Sequence, residues 1–168
     1  LWDASPMVRA WGVRAAGDSA AQAELAARIH ELKDDPDVRV RLQVAIAARK
    51  VLDDSTAAAE LMSILAAAAD DPSGLLARIA WRNLEPLVID NGPVCVEVLK
   101  QYSKRSPCGL DEVMGRLIAR MLDVRDDRIE STVDLFASLV SADFGNPHWR
   151  RAAIDALFEA AQSGHVPP

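Results

Sequence analysis

An all-α fold, arranged as a right-handed α-solenoid of stacked helical hairpins, follows from three features of the 168 residues. Alanine is unusually frequent, at 29 residues, while aromatics make up only 5%; alanine is the best helix former and a poor strand former. Five of the nine prolines follow a helix-capping residue, as Ser5-Pro6, Asp35-Pro36, Asp71-Pro72, Ser106-Pro107 and Asn146-Pro147. At the first helical position proline gives up an N–H that would be unsatisfied anyway, and its fixed φ already suits a helix. The marks stand 30, 36, 35 and 40 residues apart, a period that stacked helical hairpins leave in a sequence. No run alternates apolar and polar residues between hairpin turns, so strands are not expected.

The elements follow in order. A helix opens at Pro6, and a partner over residues 20–33 carries Leu25, Ile29 and Leu32 at helical spacing. The helix over 36–52 is the most telling. Placed at about 100° per residue, Val38, Leu42, Ala45 and Ile46 form one apolar stripe, and Val40, Val44, Ala47 and Val51 a second. Arg39, Gln43 and Lys50 share a narrow polar stripe. A helix with two apolar faces has to be covered on two sides, which a lone hairpin cannot do and a stack can. Over 55–69, Ser55 is the expected cap and Leu61, Ile64, Leu65 and Ala68 the buried face. Helices marked by Pro72, Pro107 and Pro147 alternate with partners over 93–102 (Val94, Val98, Leu99) and 128–140 (Ile129, Val133, Phe136, Val140). The sum is about nine helices, or four and a half units, in one domain over residues 1–168.

Composition narrows the function classes. With 19 Lys+Arg against 25 Asp+Glu the formal charge is −6, which argues against a surface that grips nucleic acid all round. The chain is long enough to bury about 68–70% of its unfolded surface. No apolar run approaches membrane-spanning length, so membrane insertion is not expected. Leu1-Trp2-Asp3-Ala4-Ser5 has neither an initiator Met nor a basic stretch leading into an apolar one, so it does not read as a signal peptide. Opening on Leu-Trp and closing on Val166-Pro167-Pro168, the chain reads as a piece of a larger multidomain protein. Cys95 and Cys108, thirteen apart, make no metal framework and are expected as buried thiols.

The repeat details resemble the HEAT (armadillo-like) repeat, whose second helix begins with Asp and then a Val-Arg pair. Asp35-Pro36-Asp37-Val38-Arg39-Val40-Arg41-Leu42 fits that pattern. Ser5-Pro6-Met7-Val8-Arg9-Ala10-Trp11 fits with its turn shortened by two, so Val8-Arg9 aligns with Val40-Arg41. Asn146-Pro147-His148-Trp149-Arg150-Arg151-Ala152 fits more loosely, and the units at Pro72 and Pro107 lack the Val-Arg pair. More narrowly, Trp81-Arg82-Asn83-Leu84-Glu85-Pro86-Leu87 is similar to a Trp-x-x-Leu-Glu-Pro-Leu stretch in the HEAT region of the PVC-type (planctomycete) haem-binding, membrane-bound dehydrogenase-domain proteins. Gly17-Asp18, Val40-Arg41-Leu42-Gln43, Arg116-Leu117-Ile118-Ala119-Arg120 and Gly164-His165-Val166-Pro167 follow the same order of segments. That resemblance implies an exported parent protein in which a sugar-dehydrogenase-like propeller precedes the solenoid and a c-type cytochrome domain follows it. It implies an extracytoplasmic or periplasmic location. No Cys-x-x-Cys-His is present, so no haem role carries over to these residues.

Arg41 lies about 200° round the helix from the exposed Arg39, between the apolar stripes, and needs an acceptor there. A ladder of Arg9 and Arg41 with Asp35 and Asp71 is expected, Asp37 being a further acceptor, as HEAT repeats use such pairs to hold successive turns together. Breaking a fully desolvated pair costs about 3–5 kcal/mol. The doublets Asp34-Asp35, Asp53-Asp54, Asp70-Asp71 and Asp126-Asp127 fall at turns and read as helix caps, without an EF-hand pattern. His30, His148 and His165 are isolated, and neither a phosphate loop nor a nucleophile elbow appears. No catalytic, cofactor-binding or metal residue is assigned, no cofactor is expected in this segment, and no small-molecule substrate is identified. Pro86 deletes the bond to the Arg82 carbonyl and should kink its helix, leaving Glu85 and Trp81 on one face as a contact site or a bend.

Twelve of the 19 basic residues fall on or near the Pro-marked helices, so an acidic protein can still present a basic concave face. The expected role is a non-catalytic scaffold that positions flanking domains or a protein partner. Its interaction surface is Arg39, Arg78, Arg82, Glu85, Trp11 and Trp81. The alternative is a nucleic-acid-binding solenoid resembling the HEAT-like alkylpurine DNA glycosylases. Local pairs of Arg82 with Glu85 and Arg151 with Asp155 would reduce the free charge available to it.

Overall fold

A computed structural model describes residues 3–18, 23–105, 108–122, 137, 139–141 and 146–162. Among these the chain is all-helical, without a strand. Its helices are α1 (Pro6–Asp18), α2 (Ala23–Leu32), α3 (Val38–Val51), α4 (Asp54–Ala67), α5 (Leu75–Leu84), α6 (Gly92–Tyr102), α7 (Met114–Leu122) and α8 (Pro147–Gln162). Tight 3₁₀ turns occupy Ala68–Asp70, Glu85–Leu87 and Gly109–Glu112. The expected helix over 128–140 and the Ser106-Pro107 mark lie outside the described residues, apart from helical Ala137, Leu139 and Val140.

Proline does what the sequence predicts at two starts and something different at two others. α1 and α8 begin at Pro6 and Pro147 themselves. The Asn146 Oδ1 accepts the His148 and Trp149 N–H groups at 3.0 and 3.3 Å, satisfying two orphan donors of the first turn. At Pro36 and Pro72 the proline sits in the turn, and the helix starts two or three residues later. α3 is capped by Asp37, whose Oδ1 accepts the Arg39 N–H at 2.9 Å. α5 starts after Gly74, which adopts a left-handed φ of 63° that any side chain would resist. α4 is capped two residues earlier than expected, by Asp53 and not Ser55: its carboxylate takes the Thr56 N–H at 3.0 Å and the Thr56 hydroxyl at 2.7 Å.

Packing follows the marks. α1 packs on α3, α3 on α5 and α7 on α8, while α2 lies against α3, and α4 against α3, α5 and α6. α3 therefore has helices on several sides, as its two apolar stripes require. Val40, Val44 and Ala47 are buried, and so are Ala45 and Ala48. The other stripe is only partly covered: Leu42 is half-buried and Ile46 reaches solvent. Small residues let these helices approach closely. A Cβ on Gly17 would stand 3.1 Å from the Ala47 Cβ, so α1 and α3 meet almost backbone to backbone. The centre of the core is α4, where Ala57, Ala58, Leu61, Met62, Ile64 and Leu65 are wholly enclosed.

The Leu84-Glu85-Pro86 segment ends its helix where a kink was expected. α5 stops at Leu84 and tightens into the 3₁₀ turn Glu85–Leu87, since Pro86 has no N–H with which to continue the α-helical ladder.

Candidate interaction surface

The arginines divide into two sets with different chemistry. The first set is internal. Arg9 donates Nε and Nη2 to the two carboxylate oxygens of Asp35 at 2.7 and 2.9 Å, a forked pair between α1 and the turn before α3. Arg41, buried at 5% exposure, donates Nη1 to the Asp35 carbonyl at 2.9 Å and Nη2 to Asp70 Oδ1 at 2.6 Å. Each arginine thus reaches from its own helix to the turn that precedes the next Pro-marked helix. The rung that Arg41 makes is to Asp70, not to Asp71 as the sequence suggested. Asp71 caps α5 instead, accepting the Leu76 N–H at 2.9 Å and the Ser73 N–H and hydroxyl at 3.0 and 2.7 Å. The orphan N–H groups at the start of α5 claim the nearer carboxylate, and the 3₁₀ turn Ala68–Asp70 leaves its neighbour free to meet Arg41.

Asp35 is the hub. Burial raises its carboxyl, but the Arg9 guanidinium and the Asp37 N–H outweigh burial and hold it below the ordinary carboxylate value. Asp37 lies lower, at about 2, chiefly because Arg39 bonds its carboxylate through Nε and Nη2 at 3.0 and 2.7 Å. Groups depressed in the folded state favour folding above their unfolded pKa, and that contribution disappears as pH falls through the folded one. The urea midpoint is therefore expected to hold down to about pH 4 and to fall between there and pH 2, less steeply in Asp37→Asn. A midpoint unchanged down to pH 2 would show that these carboxylates add nothing to stability.

The second set of arginines faces outward. On α1, Met7, Trp11 and Arg14 are exposed and share a face; on α3, exposed Arg39 and Ile46 share one with half-buried Gln43; on α5, Leu75, Arg78 and Arg82 are exposed. The faces of α1 and α3 run side by side and in parallel. A notch of about 230 Å³ at one end is lined by Met7, Ala10, Trp11, Arg14, Arg39 and Gln43, and Lys50 pairs with Asp18 at 2.9 Å at the other. Arg14 lies 5.3 Å from the centre of the Trp11 ring, a cation–π contact on a side chain 62% exposed. Arg78 and Arg82 are exposed and make no ion pair among the described residues. The expected Arg82–Glu85 pair is thus not formed, whereas Arg151 does reach Asp155, at 3.4 Å.

Beyond Arg82 the surface opens into a cleft of about 860 Å³ between α5, α7 and α8, with Trp81, Glu85, Arg116 and Arg120 on one side and Asp155 and Glu159 on the other. Trp81 is buried and serves the core, with Arg116 5.1 Å from its ring centre. Glu85 is exposed at the cleft wall. The expected surface residues thus fall into two groups: Trp11 and Arg39 at the notch, and Trp81 and Glu85 at the cleft. Arg78 and Arg82 stand between them on α5.

Sequence reasoning missed two polar contacts. Glu60, enclosed in the alanine-rich α4, receives His30 Nδ1 and faces Lys33 Nζ at 3.6 Å. The Trp149 indole N–H donates to Asp111 Oδ1 at 2.5 Å, pinning α8 to the 3₁₀ turn Gly109–Glu112. A charged residue in an apolar helical run flags Glu60 in the sequence, while nothing marks Asp111 as the partner of a tryptophan 38 residues away. Cys95 and Cys108 are free and buried. Burial pushes the Cys95 thiol up to about 12 and raises Cys108 as well, so neither is a ready nucleophile at neutral pH. Among the described residues no cluster of His, Cys, Asp or Glu is arranged to hold a metal, and no helix is long and apolar enough to cross a membrane.

Comparison with family models, curated proteins and solved structures returns no match to this chain.

Proposed function

We propose that this chain is a non-catalytic scaffold: a right-handed α-solenoid of HEAT-like units that holds flanking domains or a protein partner on a curved surface. The observation that carries the reading is the repeated Arg–Asp rung. Arg9 to Asp35 and Arg41 to Asp70 each run from one helix to the turn before the next proline mark, Asp35 standing one residue before Pro36 and Asp70 two before Pro72, and the helices bearing these arginines pack on one another. Repeated polar rungs between successive units favour a stack over a closed bundle, because a stack presents the same neighbour at every step. The larger setting we infer is an exported dehydrogenase–cytochrome c type protein. That inference rests on the Trp81–Leu87 stretch and the order of segments around it.

Two measurements test these readings separately. Small-angle scattering of the 168-residue chain is expected to give a radius of gyration clearly above the ~15 Å of a compact globule of this length; a value at ~15 Å overturns the solenoid. A pyridine haemochrome assay on the full-length product of the encoding gene is expected to show c-type haem. Its absence would remove the dehydrogenase–cytochrome setting and leave the scaffold reading untouched.

A further inference from the structure

We propose that the outward face of α1, α3 and α5 binds an acidic protein segment that carries apolar side chains between its carboxylates. The proposal rests on the scaffold reading and specifies the partner's chemistry. In it the notch between α1 and α3 takes one apolar side chain, and Arg78 and Arg82 take carboxylates.

Three observations converge on that chemistry. The first is how the cations are used. Arg9 and Arg41 are committed to the rungs, Arg39 to Asp37 and Lys50 to Asp18, and Arg14 lies over the Trp11 ring; Arg78 and Arg82 are exposed without a carboxylate among the described residues. On a chain of net charge −6 this is a local positive field in a negative surround. It steers an acidic partner to one face and repels it from the rest. The second observation is the apolar content of the same face. Met7 at 57%, Trp11 at 62%, Ile46 at 37% and Leu75 at 39% exposure stand between the arginines. Large apolar side chains held in water beside cations suit a partner whose own residues alternate acidic and apolar. The third is the notch itself, which has room for one large side chain, with a Trp11 and Met7 wall and Arg14 and Arg39 at its rim.

A duplex nucleic acid fits the face less well. Its phosphates would gain nothing from Met7, Ile46 or Leu75.

The test uses fluorescence anisotropy of the 168-residue chain with a labelled glutamate–tyrosine copolymer, labelled polyglutamate and a labelled duplex DNA. The copolymer is expected to bind more tightly than polyglutamate, and the DNA most weakly. Arg78→Glu with Arg82→Glu should raise the half-saturating copolymer concentration by about tenfold or more, while the paired Arg→Lys changes should retain most of the binding. Trp11→Ala should remove the preference for the copolymer over polyglutamate and leave the helical circular dichroism intact. The proposal is overturned if the copolymer does not bind, if these variants bind it like the parent, or if the DNA binds more tightly. Failure of copolymer binding by an elongated particle removes only this partner, whereas a compact scattering radius removes the stacked scaffold itself.

Discussion

Arg41→Ala is expected to lower the free energy of unfolding by about 3 kcal/mol. The guanidinium is buried and bridges two acceptors of different kinds, the Asp35 carbonyl and the Asp70 carboxylate. Asp70 is mostly in water, its side chain 60% exposed, so its charge rehydrates when the arginine is removed. The Asp35 carbonyl lies in the turn that Arg41 covers and loses its donor. The arginine stem also packs between helices, and its removal leaves space behind. Asp35→Ala should cost as much by a different route. It strips Arg9, only 14% exposed, of both carboxylate oxygens and frees the Asp37 N–H. Asp71→Ala removes only a helix cap and should cost about 1 kcal/mol. Urea denaturation followed by circular dichroism measures all three. If Asp71→Ala proved costlier than Arg41→Ala, the rung would run through Asp71 after all.

Gly109→Ala is the second large effect. A Cβ on Gly109 would stand 2.1 Å from the Leu65 carbonyl oxygen, 3.1 Å from the Ala69 nitrogen and 3.3 Å from the Ala68 nitrogen. All three are backbone atoms at the end of α4, so no side-chain rotation can relieve the overlap. The 3₁₀ turn Gly109–Glu112 would have to lift off α4, taking with it buried Cys108 and Leu110. Forced overpacking of this kind costs about 3 kcal/mol or more. Gly115→Ala is the control. Nothing lies within 4 Å of its would-be Cβ, and it sits exposed in α7. There alanine should stabilise the protein by up to about 1 kcal/mol. Thermal melts that moved the same way for both variants would refute the close approach at Gly109.

What the sequence makes legible is what each residue decides within its own turn of helix. The helical class, the buried faces of α3 and α4, and the need of Arg41 for an acceptor all follow from spacing and from the cost of burying a charge without a partner. The choice between Asp70 and Asp71 was not legible, because adjacent carboxylates differ only in which orphan N–H the turn brings near. Proline stands at or just before the start of α1, α3, α5 and α8, but Asp-Pro turns delay the helix, so Pro36 and Pro72 precede their helices and do not open them. The facing of Arg78 and Arg82 could be inferred; that they lack carboxylate partners could not, since Glu85 stands at pairing distance in sequence and turns to the cleft. Glycine's closeness to another backbone leaves no trace in sequence at all, which is why Gly109 and Gly115 look alike until the fold is known.

The uneven burial of α4 and α8 sets an order of opening. In α4 eight of 14 residues are buried, and its amides can exchange with solvent hydrogen only when the whole domain unfolds. In α8 two of 16 are buried, Trp149 and Ala153, and the helix is held by packing on α7 and by the indole bond to Asp111. Protection factors should therefore be highest along α4 and lowest along α8. Because α8 is one wall of the large cleft, the width of that cleft is expected to vary before the domain unfolds. The cleft is therefore the part of this surface whose shape depends most on how firmly one helix is held.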